Sequence, residues 1–176
     1  MIYKNKPYIM LLFVVWAVVN FNGCFYSFTG ASVAPYLKTV FITPIDDKSG
    51  SGELNLKESF KSAITKRFID DNTLQIAERS NADALVECTI VSFTDAASVI
   101  SPAGGSNPSV SGKRITIGVK VLFRDLVKKK TISEKNYSNF EDYSTSGSVQ
   151  TNRSQAVENT INKLADDILI GTVSNW

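Results

Sequence analysis

Two thiols, seventeen carboxylates and no histidine make up the reactive inventory of this 176-residue chain. Without histidine the commonest general base and the commonest transition-metal ligand are missing, which removes Ser-His-Asp, Cys-His and most zinc chemistry. Carboxylates could still act in pairs, and Asp46-Asp47, Asp70-Asp71 and Asp166-Asp167 are candidates by proximity. Sequence neighbours at a turn or along a helix point apart, however, so these read as caps and solvated charges. No catalytic residue, no metal-ligand set and no enzymatic activity are expected. Cys88 lies in the apolar run Leu85 to Phe93, on the side shared by Val86 and Ile90, and reads as a small buried hydrophobe. That leaves the thiol of Cys24.

Its setting is specific. Lys4 and Lys6 open the chain, an uncharged apolar run extends from Tyr8 to Val19, and a short polar break ends in Gly23 directly ahead of Cys24. This is the order of a secretory signal: a positive start, an apolar middle and a small residue at the cut. The run of about a dozen residues is shorter than the roughly 20 that a membrane span requires. Gly23-Cys24 resembles the end of a bacterial lipoprotein signal, whereas Phe21 and Asn22 depart from the aliphatic and small residues usual there. Residues 1–23 are therefore expected to be a removed signal peptide and residues 24–36 a tether. Cys24 would carry a covalent diacylglyceryl lipid in place of any cofactor. Each buried CH₂ adds about 0.8 kcal/mol, so several acyl chains would hold the protein at a membrane.

Removing the signal changes the charge balance. The formal +2 comes from Lys4 and Lys6, since 19 basic residues fall to 17 against 17 acidic ones. No nucleic-acid partner is implied. The remainder is long enough for one domain with a hydrophobic core.

Leu37 to Thr43 predicts a first strand closed by Pro44, followed by a turn over Asp46 to Gly52. Asn55 and Glu58 have capping-box spacing, and Leu56, Phe60, Ala63, Ile64 and Phe68 then recur at helical intervals. Asp70-Asp71-Asn72 ends this helix, and Thr73 to Ala77 predicts a brief strand. Ala84 to Val99 reads as a long strand, apolar on both faces near Leu85 to Val91 and so central in a sheet. Ser101 to Ser109, with two prolines and two glycines, reads as a loop at a hairpin tip.

Ile115, Ile117, Val119, Val121 and Phe123 then alternate with Thr116, Gly118, Lys120, Leu122 and Arg124, giving a strand with one buried and one wetter face. Asp125 to Lys130 turns the chain, and polar Thr131 to Tyr143 returns as an edge strand. After a connector at Thr145 to Gln150, a last helix turns Val157, Ile161, Leu164, Ala165, Ile168 and Leu169 to one side and ends near Gly171. The pattern predicts an α+β two-layer sandwich over residues 37–176. Two amphipathic helices pack on a mixed, mostly antiparallel sheet of four to five strands.

Several strings in this order resemble the LptE-type lipopolysaccharide-assembly lipoproteins of Bacteroidetes and related bacteria. They are Gly23 to Gly30, Lys38-Thr39-Val40, Glu134 to Tyr143 with Tyr137-Ser138 and Phe140-Glu141-Asp142-Tyr143, and Ser174-Asn175-Trp176. The resemblance implies a small α+β lipoprotein on the periplasmic face of the outer membrane. It would partner an LptD-type β-barrel, helping it fold and deliver lipopolysaccharide to the cell surface. No ligand residue carries over by alignment. The exposed cations Lys113, Arg114, Lys120 and Arg124, with Lys128 to Lys130, are expected either to meet lipid A phosphates or to be a solvated strand face that keeps an edge from aggregating. The alternative function is another envelope or secretion lipoprotein whose α/β periplasmic domain attaches to an outer-membrane pore.

Overall fold

The structure, a computed structural model, describes residues 33–102 and 108–174. The signal peptide, Cys24, tether residues 24–32, the tip centre at residues 103–107 and Trp176 lie outside the described residues. The elements run β1 (Thr39–Ile42), β2 (Asp46–Asp47), α1 (Leu56–Asp71), β3 (Gln75–Ile76), β4 (Ala84–Pro102), β5 (Pro108–Asp125), β6 (Lys130–Ser144) and α2 (Val149–Val173). One sheet has the order β3-β1-β4-β5-β6, with β2 pairing β4 beyond the end of β1. Pairings among β1 to β4 are parallel, and β4, β5 and β6 form an antiparallel meander.

The α+β class is as expected, but the sheet has six strands rather than four to five. The additional strand, β2, falls on Asp46-Asp47, where a turn was expected. Ile42 pairs with Val86 and Asp46 with Thr89, so four steps on one chain match three on the other. The surplus residue is absorbed around Pro44, which donates no hydrogen bond, and the chain then rejoins β4.

Alternation along β5 decides which face is dry. Ile115, Ile117, Val119, Val121 and Phe123 are each at most 3% exposed and face the helices, placing Arg114, Lys120 and Arg124 on the opposite, open face. Leu56, Phe60, Ile64 and Phe68 of α1 and Ala156, Val157, Ile161, Leu164, Ala165 and Ile168 of α2 close over that row. Full burial of each large apolar side chain stabilises by roughly 1.5–3 kcal/mol. In β4, Val86, Cys88 and Ile90 join the same core while Leu85 is buried on the reverse face, in accord with its central position.

Both helix starts differ from expectation. Asn55 has φ 63 and makes no side-chain cap, so the capping box with Glu58 does not form. A left-handed backbone, which Asn tolerates, replaces the extended geometry that aims a capping side chain into the first turn. At the other end Asn72, φ 56, donates its N–H to the Phe68 carbonyl at 3.1 Å, a left-handed stop where the helix was expected to end. Helix α2 begins within the expected connector, at Val149, and runs past Gly171 to Val173.

Polar contacts fix how α2 lies on β6. Lys163 reaches the Phe140 carbonyl and Glu141, Asn139 donates to Asp167, and the Tyr137 ring lies against Gly171. Four helix residues, about 6 Å, thus match two strand residues, about 7 Å, with the two elements antiparallel. Arg153 meets Glu53 ahead of α1 and Asp166 meets Arg67 near its end, so the two helices run in the same direction.

Gly171 packs tightly on β6: a Cβ there would lie 1.9 Å from the Tyr137 hydroxyl and 2.9 Å from its ring. Glycine normally weakens a helix by about 1 kcal/mol relative to alanine. Gly171→Ala is nevertheless expected to lower stability, by about 1–2 kcal/mol, because the Tyr137 ring must be displaced. Urea denaturation checks the sign; a stabilised variant would show that the contact yields freely.

Candidate functional site

Two polar constellations stand outside the core, on opposite faces of the sheet. The first exists because β4 has a bulge between Ile90 and Ser92. One extra residue, Val91, shifts the alternation, so Phe93 and Asp95 face the helices although Val86, Cys88 and Ile90 did so before the bulge. Asp95 accepts Tyr143 Oη at 2.8 Å, Arg153 Nε at 2.9 Å and Lys113 Nζ at 3.2 Å. The other side of the Arg153 guanidinium forks onto Glu53, with Nη2 to Oε2 at 2.6 Å and Nη1 to Oε1 at 3.2 Å. Four strands and loops are therefore tied to the first turns of α2 through one side chain. The acids and the arginine are about a fifth to a quarter exposed, at 20%, 21% and 24% for Asp95, Arg153 and Glu53.

Burial works against the charge on Asp95, but hydrogen bonds from Tyr143, Arg153 and Lys113 outweigh it and hold the carboxyl below its ordinary range. Burial, and then Asp95, push the Tyr143 hydroxyl up. Glu53 foremost, with Asp95, stabilises the charged form of Arg153 against its desolvation. The sequence carries one signal for this cluster: Asp95 is the sole charged residue between Glu87 and Lys113, and a lone carboxylate in a strand facing a core requires a partner.

The four expected phosphate ligands divide between the faces. Lys113 lies on the helix side with Asp95, whereas Arg114, Lys120 and Arg124 lie on the open side. Arg114 makes a two-pronged contact with Asp142, Nε to Oδ1 at 2.8 Å and Nη2 to Oδ2 at 2.7 Å, and its Cζ stands 4.0 Å from the Phe140 ring centroid. This pairing raises the arginine pKa and lowers that of Asp142. Lys120 pairs with Glu134 at 2.5 Å. Arg124 is exposed and, among the described residues, makes no ion pair. Exposed Phe140 and Val91 and a shallow depression lined by Thr94, Ala96, Ser98, Arg114 and Thr116 complete this face.

The remaining reactive groups are engaged separately. Cys88 is fully buried, and desolvation pushes its thiol up to about 12, so it stays protonated at neutral pH. Within each Asp pair the neighbours take different partners: Asp46 meets Lys48 and Asp47 accepts from Ser49; Asp70 meets Lys66 and Asp71 accepts the Thr73 N–H; Asp166 meets Arg67 and Asp167 accepts from Asn139. Among the described residues no group of three or more Cys, Asp or Glu is placed to hold a metal ion, and no helix is long and apolar enough to cross a membrane.

The depressed Asp95 pKa gives a signed expectation. A carboxyl whose folded pKa lies below its unfolded value of about 3.9 contributes stability that is complete above that value and lost as pH falls through the folded one. Asp95→Asn is expected to cost about 1–3 kcal/mol at pH 7, since Arg153 and Tyr143 lose a charged acceptor. The gap to wild type should close on acidification below the unfolded pKa. Urea midpoints along a pH series check this; a gap of constant size down to pH ~3 would contradict it.

The family model for LptE, lipopolysaccharide-assembly, matches residues 37–170, from just ahead of β1 to near the end of α2. Among solved structures, the hypothetical protein CT253 of Chlamydia trachomatis is 15% identical with a TM-score of 0.55, over 78% of this chain and 98% of that one. A PelC dodecamer from Paraburkholderia phytofirmans is 12% identical with a TM-score of 0.54, over 81% of this chain and 94% of that one. Rare lipoprotein B from Shewanella oneidensis is 14% identical with a TM-score of 0.50, over 73% of this chain and 90% of that one. At such identities the likeness is one of fold. No curated protein sequence matches the chain. With one model spanning every described element from β1 to α2, the chain belongs to the LptE lipopolysaccharide-assembly family.

Proposed function

We propose that this protein is an outer-membrane lipoprotein, held on the periplasmic face by a lipid on Cys24. It partners an LptD-type β-barrel in assembling and transporting lipopolysaccharide to the cell surface, and it performs no chemistry of its own. The family match over residues 37–170 carries this reading. The Gly23-Cys24 cut site behind a short apolar run supports the anchor. The sheet face opposite the helices, which carries Arg114, Lys120 and Arg124, suits a subunit that works by fitting another protein.

For lipopolysaccharide itself, the cations fall into two groups. Lys113 and Arg114 would have to leave Asp95 and Asp142 to meet a lipid A phosphate. Lys120 and Arg124 would not be so constrained, because Arg124 has no ion pair among the described residues and the half-exposed Lys120–Glu134 pair is of the kind worth about 0–1 kcal/mol. The phosphate contact is therefore assigned first to Lys120 and Arg124.

The anchor is tested by the mass of the protein recovered from membranes. The N-terminus should be Cys24 bearing acyl chains, and processing should stop with the lipoprotein signal peptidase inhibitor globomycin. An unmodified start elsewhere would remove the anchor from the reading. For the phosphate contact, Lys120→Glu with Arg124→Glu should weaken lipopolysaccharide binding at least about tenfold, as expected when two charge-assisted contacts are reversed. Unchanged binding would remove both residues.

A further inference from the structure

The turn between β5 and β6 contains the chain's one run of three consecutive cations, Lys128, Lys129 and Lys130, with Arg124 close by on β5. All four are exposed, and among the described residues none makes an ion pair. Two carboxylates at this end of the sheet are already engaged. Asp125 is 1% exposed and accepts the Tyr36 hydroxyl at 2.6 Å and the Lys128 N–H at 2.7 Å. Asp83 accepts the N–H groups of Lys38 and Thr39 and the Thr39 hydroxyl. Val127, 57% exposed, projects from the same turn. Unmatched positive charge beside an apolar residue on a tight, well-held turn is the composition of a surface that meets an anionic membrane.

The chain's own path gives the second observation. Val33, Ala34 and Tyr36 pack against the core, Tyr36 is fastened to Asp125, and Lys128 Nζ stands 4.3 Å from the Tyr36 ring centroid. The polypeptide therefore joins the domain at the basic turn. Eight residues lie between Cys24 and Val33, so a lipid on Cys24 keeps this end within about 30 Å of the bilayer. The other end of β5, at Pro108, is seventeen residues or about 55 Å away.

We infer that Val127 and Lys128 to Lys130 form a docking patch that seats this end of the domain on a bilayer displaying anionic phospholipid headgroups. Val127 enters the headgroup layer and the amines meet lipid phosphates. The inference rests on the Cys24 anchor for its orientation, but the patch acts through its own charge. Lysine suits this role as a compact point charge that needs no fixed phosphate geometry. The attraction is screened beyond about 10 Å at 0.1 M salt, so only a turn held close to the surface uses it.

The core is built from residues between Leu37 and Ile168, so the chain starting at residue 24 with Cys24→Ser keeps its fold and cannot be acylated. Sedimentation of this chain with vesicles of phosphatidylcholine, with and without phosphatidylglycerol, tests the patch. Binding should require phosphatidylglycerol, vanish at high salt, and weaken about fivefold for each step in the series Lys128→Gln, Lys129→Gln and Lys130→Gln. Lys57→Gln and Lys66→Gln on α1 should leave it unchanged. Equal sedimentation with neutral vesicles, or full binding by the triple variant, would overturn the inference. So would displacement by inorganic phosphate at constant ionic strength, which would mark a site for free phosphate. Because this chain has no lipid, the result is independent of whether Cys24 is acylated, which the mass of the native N-terminus reports separately.

Discussion

Val86, Cys88, Ile90, Ile115, Ile117 and Val119 reach no water because α1 and α2, the two helices among the described residues, lie across them. One face is therefore dry and the other is left to bear charge. The side-chain period of two assigns each residue of β5 to one fate or the other, so a single-residue slip would bring Thr116, Gly118, Lys120, Leu122 and Arg124 onto the dry face in place of the apolar row. The apolar row from Ile115 to Phe123 is closed at both ends by charged residues on the same face, Lys113 and Asp125, and each is held by partners. Fastening these ends satisfies the polar groups that the helices do not reach.

Much of this was legible in the sequence because hydrophobic period is local. The alternation in β5, the four buried positions of α1 and the central placement of β4 all follow from counting apolar residues, and each is found in the structure. What escaped depends on partners distant in the chain. The β4 bulge moves Asp95 to the helix side, and no local pattern announces which residue will be looped out. Arg153, Glu53 and Tyr143 look like solvated surface in sequence, and the cluster becomes visible only when parallel helices and a bulged strand bring separations of 58 and 100 residues together. Asn55 shows the converse: its type and spacing fit a capping box, yet the backbone entering α1 takes the left-handed conformation instead.

The cations illustrate why composition alone could not define a ligand surface. Lys113, Arg114, Lys120 and Arg124 read as one stripe, but strand geometry turns Lys113 away and gives Arg114 and Lys120 carboxylates from neighbouring strands. Lys128 to Lys130 of the β5–β6 turn, which make no ion pair among the described residues, lie beside the place where the polypeptide joins the domain. The domain thus has a basic end near its attachment and an opposite end where β4 and β5 extend past Ser144, the last residue of β6.

Membership of the LptE lipopolysaccharide-assembly family points to a role in assembly. Gentle detergent extraction of outer membranes, followed by purification through this protein and quantitative mass spectrometry, tests that role most directly. A large β-barrel should be recovered in one-to-one proportion with it. Recovery of the protein alone, or in stoichiometric complex with an unrelated pore, would contradict it.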